Sequence, residues 1–151
     1  MTTVYDVPAD RLIQRVAEKL KNNEKIKAPE WADYIKTGVH KEKAPVERGW
    51  WHNRVAAVLR KIYIRGPIGT SRLAAEFGGK VDRGSKPYKA RKGSRSIIRH
   101  SLRQLEDAGL ILTKNKRGRM ISTDGQKLLD QTAHEVLVEL VKEDSSMAKY
   151  A

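Results

Sequence analysis

At 151 residues the chain can bury one hydrophobic core and is short for two. Its 31 basic and 18 acidic residues give a formal net charge of +13, which implies polyanionic partners and says nothing about fold. The absence of cysteine excludes zinc fingers and thiol chemistry, and with them any need for an oxidising compartment.

MTTVYDVPADRL lacks a basic stretch followed by an apolar one, so no signal peptide is expected. The longest apolar runs are four or five residues, far short of a membrane span. A soluble, intracellular protein is the expectation.

The first helix is expected from Pro8, with Asp10 in its first turn and Leu12, Ile13, Val16, Ala17 and Leu20 on one face; Asn22 and Asn23 end it. A short helix after Pro29 turns Trp31, Ala32 and Ile35 inward and stops at Gly38. Residues 39–49 read as a polar connector. The next helix runs roughly from Glu47 to Arg65, with Trp51, Val55, Val58, Leu59 and Ile62 as its buried stripe. Gly66-Pro67 breaks it, and Thr70 is placed to cap a short helix carrying Leu73, Ala74 and Phe77, closed by Gly78-Gly79.

Gly78 to Arg95, GGKVDRGSKPYKARKGSR, holds seven basic residues and one acid, Asp82, and no apolar run that could build a core. It reads as a basic loop, mobile in the free protein and ordered on binding. Ser94 can cap a helix to Ala108 with Ile97, Ile98, Ser101, Leu102 and Leu105 facing the core, and Gly109 suits the left-handed position after it. Leu110–Thr113 and Arg119–Ile121 make two short strands around a basic tip. Thr123 or Asp124 opens a last amphipathic helix, and Glu143 to Ala151 reads as a frayed tail.

Helix, short helix, longer helix and hairpin in this order describe a mainly α protein: a winged helix-turn-helix core with additional N-terminal helices, a C-terminal helix and a short β-hairpin wing. The expected organisation is a single domain over residues 1–151, its core at approximately 50–143 and the N-terminal helical extension at approximately 8–38. Turns between the two central helices of such a core usually take about three or four residues. Here a much longer segment intervenes, and it carries the charge.

That charge is concentrated. Residues 50–123 hold eighteen basic and four acidic groups, whereas the two ends nearly cancel. Arg95, Arg99 and Arg103 share one helix face, so their guanidiniums can fork onto successive phosphates. A row of like charges also serves as a plain solvated face. Lys80, Arg83, Lys86, Lys89, Arg91 and Lys92 lie in the loop, where the glycines at 78, 79, 84 and 93 let the backbone approach another surface. Tyr88 is placed either to stack on a base or to pack on its own domain. Lys116, Arg117 and Arg119 make the wing basic. Arg54, Lys61 and Arg65 fall together on one side of the longer helix. Of the adjacent Trp50 and Trp51, Trp51 belongs to the core stripe and Trp50 suits the junction with the N-terminal helices.

Chemistry finds little footing. His40, His52, His100 and His134 stand in separate segments without partners at metal-ligand spacing, and no phosphate-binding G-x-x-x-x-G-K-[ST] loop is present. No catalytic residue, cofactor or metal is expected, and the protein is not expected to be an enzyme.

WWHNRVAAVLRKIYIRGPIG (residues 50–69) together with KGSRSIIRHSLRQLEDAGLI (92–111) closely resembles the ribosomal protein S19e family of archaeal and eukaryotic small subunits. VYDVPADRLIQRVAEKLK, PEWADYIKTGVHKEKAP and ISTDGQKLLDQ extend the likeness over nearly all of residues 2–143. The resemblance implies an rRNA-binding protein of the small-subunit head, contacting the 3′ major domain of the rRNA and neighbouring ribosomal proteins, cytoplasmic and monomeric when free. It also implies a part in late rRNA maturation or subunit assembly. The family's positive surface corresponds to Arg54, Arg60, Lys61 and Arg65 in the tryptophan-led helix and to Arg95, Arg99 and Arg103 in the later one. The GPIG turn differs from the GGAG-like turn of many eukaryotic members and points to an archaeal sequence.

The alternative is a winged-helix DNA-binding transcriptional regulator. Three features favour RNA. The long basic segment would obstruct placement of a recognition helix in a major groove. The exposed helix face is almost purely Arg, with Gln104 the only amide to read a base edge. No spare apolar helix is evident for a dimer. A protein–protein adaptor working through the acidic C-terminal helix is disfavoured as a main role by the concentration of positive charge.

Overall fold

A computed structural model describes residues 1–151 as a mainly helical protein with two separate antiparallel hairpins. Five α-helices set the frame: α1 (Ala9–Lys21), α2 (Trp50–Arg65), α3 (Thr70–Glu76), α4 (Arg95–Asp107) and α5 (Thr123–Glu143). The hairpins are β1 (Gly79–Arg83) with β2 (Lys86–Arg91), and β3 (Ile111–Lys114) with β4 (Gly118–Ile121).

The frame is organised around α2. Trp50, Trp51, Val55, Ala56, Val58, Leu59 and Ile62 are all buried, and together they cover most of its circumference. Such a helix must be surrounded, and α1, α4, α5 and β4 all pack on it. The buried hydrophobic side chains form one cluster of 28 residues. Trp51 is its largest fully buried member, with Trp31 edge-on at 5.8 Å and Trp50 at 5.5 Å between ring centroids. Both indoles are therefore core, Trp51 more deeply.

Helix α5 runs antiparallel to α1. Arg11 pairs with Glu143 at 2.8 Å, Arg15 with Glu139, and Lys19 with Glu135 at 2.8 Å, one pair per turn on each helix. These exposed pairs set the register of the two helices more than they add stability. The acidic groups of α5 at these positions are thus matched within the chain.

Local signals account for the boundaries around α4. The Ser94 hydroxyl accepts from the Ile97 N–H at 3.4 Å. At the other end Gly109 has φ +76°, its N–H reaching the Glu106 carbonyl and that of Leu110 the Leu105 carbonyl, both at 3.0 Å. This paired arrangement satisfies carbonyls that the helix end would leave open. Ser122 caps α5 in the same manner, accepting from Gly125 N–H at 3.1 Å. Ile68 exchanges two backbone hydrogen bonds with Arg119, at 3.0 and 2.9 Å, and so extends β4 on its far side.

Several sequence expectations need correction. The longer helix begins at Trp50, preceded by Gly49, and not near Glu47. Thr70 is the first residue of α3, with Gly69 in the cap position. The short helix expected after Pro29 is present as a 3-10 helix over Glu30–Tyr34, but it ends before Gly38 rather than at it. The tail is not frayed: Ser145–Tyr150 forms a further 3-10 turn that lays Met147 against the core. An unforeseen turn at Val4–Asp6 buries Val4, held by mutual bonds between Thr3 and Asp6.

The largest correction concerns the basic loop. Residues 79–91 form the paired strands β1 and β2, in register Gly79↔Arg91, Lys80↔Ala90 and Val81↔Lys89. Cross-strand backbone bonds replace the apolar contacts the segment lacks. Gly84, at φ +71°, opens a two-residue turn with Ser85, which suits a hairpin with glycine first. Asp82 accepts from the Gly84 N–H at 2.8 Å, and the Arg83 Nε donates to the Pro87 carbonyl at 2.8 Å. The glycines at its base serve the chain itself: a Cβ at Gly78 would lie 2.2 Å from the Arg91 carbonyl oxygen, and one at Gly93 2.8 Å from that of Phe77. They let the hairpin sit tightly on the end of α3. No helix is long and apolar enough to cross a membrane.

Candidate nucleic-acid interface

The apolar residues of α4 face inward, which turns Arg95, Arg99 and Arg103 outward together. Each is exposed, and none forms a salt bridge or side-chain hydrogen bond within the chain. One helical turn separates neighbours, about 6 Å along the axis. Glu106 stands one turn beyond Arg103 on this face, and Arg119 of β4 reaches it at 3.9 Å. The wing therefore abuts the far end of the row, while the β1–β2 hairpin leads directly into its near end.

That hairpin is exposed along its length. Lys80, Arg83, Lys86, Lys89, Arg91 and Lys92 all face solvent, on both sides of a two-stranded ribbon. Two of them are partly tethered: Arg83 to the Pro87 carbonyl, and Lys92 to the Ser71 hydroxyl at 3.0 Å. Tyr88 is 65% exposed and has the Lys80 ammonium 5.8 Å from its ring centre. It does not pack on the core, which leaves its ring free for stacking. At the other hairpin Lys116 has φ +61° in the tip, beside an exposed Arg117.

Helix α2 presents its cations differently. Lys61 donates to Glu76 at 3.0 Å, and Arg65 pairs with the same carboxylate at 3.0 Å. The Lys61 hydrogen bond and the two positive charges hold the Glu76 carboxyl below the usual carboxylate range. Arg54 lies with its guanidinium 4.5 Å from the centre of the Phe77 ring. Arg60 keeps its Nε buried without a partner. The end of α3, Glu76-Phe77, thus occupies three of the four cations of this row. The α4 row and the hairpin are the freer part of the positive surface.

Arg72, Lys41 and Lys43, which local spacing did not single out, are exposed and bear on the same charge balance, and Lys114, expected in the basic tip, ends β3. Arg72 lines an open cleft with Lys116 and Arg117, formed where the Ile68 bridge brings the start of α3 under the wing. Nothing in local spacing announced that meeting, since it depends on a backbone bridge across about fifty residues. No group of three or more His, Asp or Glu side chains is arranged to hold a metal ion.

A family profile described as Ribosomal protein S19e matches residues 3–139. The small ribosomal subunit protein eS19 of Thermoplasma acidophilum is 48% identical over 150 residues, covering 99% of each chain. That of Aeropyrum pernix is 46% identical over 152 residues, again covering 99% of each. Similarity extends to eS19A of Schizosaccharomyces pombe, 41% identical over 137 residues, with 91% of this chain and 95% of the yeast protein aligned.

Proposed function

The chain belongs to the ribosomal protein S19e family, and on that premise we propose that it is a structural component of the small ribosomal subunit that holds folded rRNA of the head. The family is one of structural proteins and not of enzymes. In this reading α2, α3, α4 and the β3–β4 wing, with Ile68 as a short third strand, form a winged-helix core at approximately 50–143. The helices at approximately 8–38 extend it into one domain of residues 1–151.

The observation that carries the RNA reading is the row Arg95, Arg99 and Arg103, outward, unpaired and flanked by two basic hairpins. Guanidiniums at one-turn spacing can neutralise successive phosphates, the kind of contact by which folded RNA is recognised by shape. Lys80, Arg83, Lys86, Lys89, Arg91 and Lys92 would follow a backbone along the ribbon, with Lys116, Arg117 and Arg119 at the wing. Arg54, Arg60, Lys61 and Arg65 contribute from α2, the last two once competing with Glu76. A part in late rRNA maturation or assembly, contacts with neighbouring small-subunit proteins, and a cytoplasmic, ribosome-bound location belong to the same proposal.

Sucrose-gradient fractionation of native cell extract at moderate salt tests it. The chain is expected to comigrate with small subunits. Recovery only in the soluble pool, or with chromosomal DNA, would favour the DNA-binding alternative.

A further inference from the structure

Beside the basic rows lies a cleft of a different character. It opens between α2 and residues 41–47, with a volume of about 500 Å³. Trp50, Asn53, Arg54 and Ala57 line it from one face of α2, since they recur at helical spacing. Phe77 and Pro45 add apolar wall, and Lys41 and Lys43 stand on the facing strand of chain. A single acid, Glu47, lines it and accepts from the Asn53 amide at 3.4 Å.

Arg54 is the unusual member. Its neighbours in the row, Lys61 and Arg65, share Glu76, but Arg54 has no carboxylate within 4 Å and no hydrogen-bond acceptor in the chain. It is half-buried over Phe77, and burial lowers its pKa with nothing to offset the loss of water. A cation partly withdrawn from water, with no counter-charge in the chain, suits an anion. Its guanidinium carbon lies 4.5 Å from the centre of the Phe77 ring, and its N–H groups, with no acceptor in the chain, are available to a forked one.

We propose that this cleft binds a single unpaired nucleotide unit, its base stacked on the Arg54–Phe77 pair and its phosphate held by Arg54 with Lys41 or Lys43. The volume suits one such group, and splayed bases characteristically stack on aromatic rings and guanidinium planes. An acidic peptide would satisfy the charge but not the flat, apolar wall. The inference deepens the RNA-binding reading: the rows would grip paired backbone, and the cleft would take a base extruded from it.

Isotope-labelled full-length protein is titrated with adenosine 5′-monophosphate, adenosine, inorganic phosphate and a polyglutamate peptide. Signals are followed at the Arg54 Nε–H, the Trp50 indole N–H and the ring of His40, which is lodged between Gly38 and Gly79 close to Arg54. The monophosphate is expected to shift all three saturably and to bind about tenfold more tightly than phosphate or adenosine, the worth of one stacked base. Equal response to phosphate or to the peptide would overturn the proposal. A second arm compares a short RNA duplex with and without one unpaired adenosine. If the unit comes from a strand, the bulged duplex binds about tenfold more tightly, and Arg54→Gln removes the preference. Preference absent while the monophosphate still binds would assign the cleft to a free nucleotide. Arg54→Lys, which keeps the charge but not the planar fork, is expected to lose the preference as well, and a native circular dichroism spectrum and melting midpoint in both variants separate this loss from a folding defect. If neither duplex binds, the RNA-binding reading fails; if both bind equally and the monophosphate does not, only the cleft does.

Discussion

The indole N–H of Trp51 donates to the Oε1 of Gln104 at 2.9 Å, joining the central helix α2 to α4. The amide nitrogen of Gln104 in turn donates to the Lys27 carbonyl at 2.7 Å. The one amide side chain of α4 is therefore engaged inward, and the face that α4 turns outward is left to arginines. This arrangement leaves α4 no free amide to pair with adenine, and its outward arginines suit phosphates.

Replacing Gln104 with Leu should therefore act on stability and not on RNA affinity. It leaves the Trp51 N–H and the Lys27 carbonyl without these partners, at a cost of about 1–3 kcal/mol. Urea unfolding of the free protein measures the cost. A variant that melts normally but binds rRNA poorly would restore Gln104 to the contact surface.

Trp51→Ala should be more severe. Trp51 is 1% exposed and wedged between Trp31 and Trp50. Truncation opens a large cavity and is expected to cost about 3–5 kcal/mol, a large share of the roughly 5–15 kcal/mol such a protein has. Thermal unfolding decides it: an unchanged midpoint with weakened RNA binding would put Trp51 on the wrong surface.

What the sequence made legible here followed local rules. Apolar spacing located α1, α4 and α5, and the caps Ser94 and Gly109 bounded α4 to within a residue. The arginine row was visible because an amphipathic helix fixes both faces at once. Three things were not legible, each for a physical reason. The β1–β2 hairpin has no apolar face, so alternation gave no signal; the only cue was the turn at Asp82-Arg83-Gly84-Ser85. The pairing of Lys61 and Arg65 with Glu76 depends on α3 folding back beside α2. The anchoring of Met147 depends on a turn whose sequence, SSMAKY, has almost no apolar pattern.

Arg95, Arg99 and Arg103 should carry much of the salt dependence of binding. Changing all three to Gln removes three positive charges while leaving Ile98, Leu102 and Leu105 in place. The slope of log K against log salt should fall by about 2–3. With Glu in place of Gln, assembly into small subunits should fail while circular dichroism stays native. Normal incorporation of the folded Glu variant would remove this face from the interface.

Glu76→Gln should have two opposite effects. The carboxyl is held below its ordinary range by Lys61 first and Arg65 second. Its stabilising contribution is therefore present above the unfolded-state pKa of glutamate and fades as pH falls through the lower folded value. The variant should be modestly less stable at neutral pH, and the difference should vanish in acid. Released from Glu76, Lys61 and Arg65 should bind RNA more tightly and with a steeper salt slope. Electrophoretic mobility shifts at two salt concentrations would show this; unchanged affinity would mean that the α2 row lies off the RNA.

Removing the β1–β2 hairpin separates binding from folding. None of its residues is buried, and its anchorage to the core lies in Gly78 and Gly93 at its base rather than in the strands. Replacing residues 81–90 with a short Gly-Ser link spares both glycines and the Ser94 cap. The melting temperature should change little, because no core contact is lost. Binding to rRNA should weaken strongly, since Arg83, Lys86 and Lys89 go together with the exposed ring of Tyr88. A Tyr88→Leu variant of the intact hairpin then apportions the loss: if stacking matters it loses affinity without changing the salt slope, whereas purely electrostatic contact leaves it like the parent. Full affinity in the deleted protein would show that the ribbon points away from the RNA, and the α4 row would then have to hold it without that neighbour.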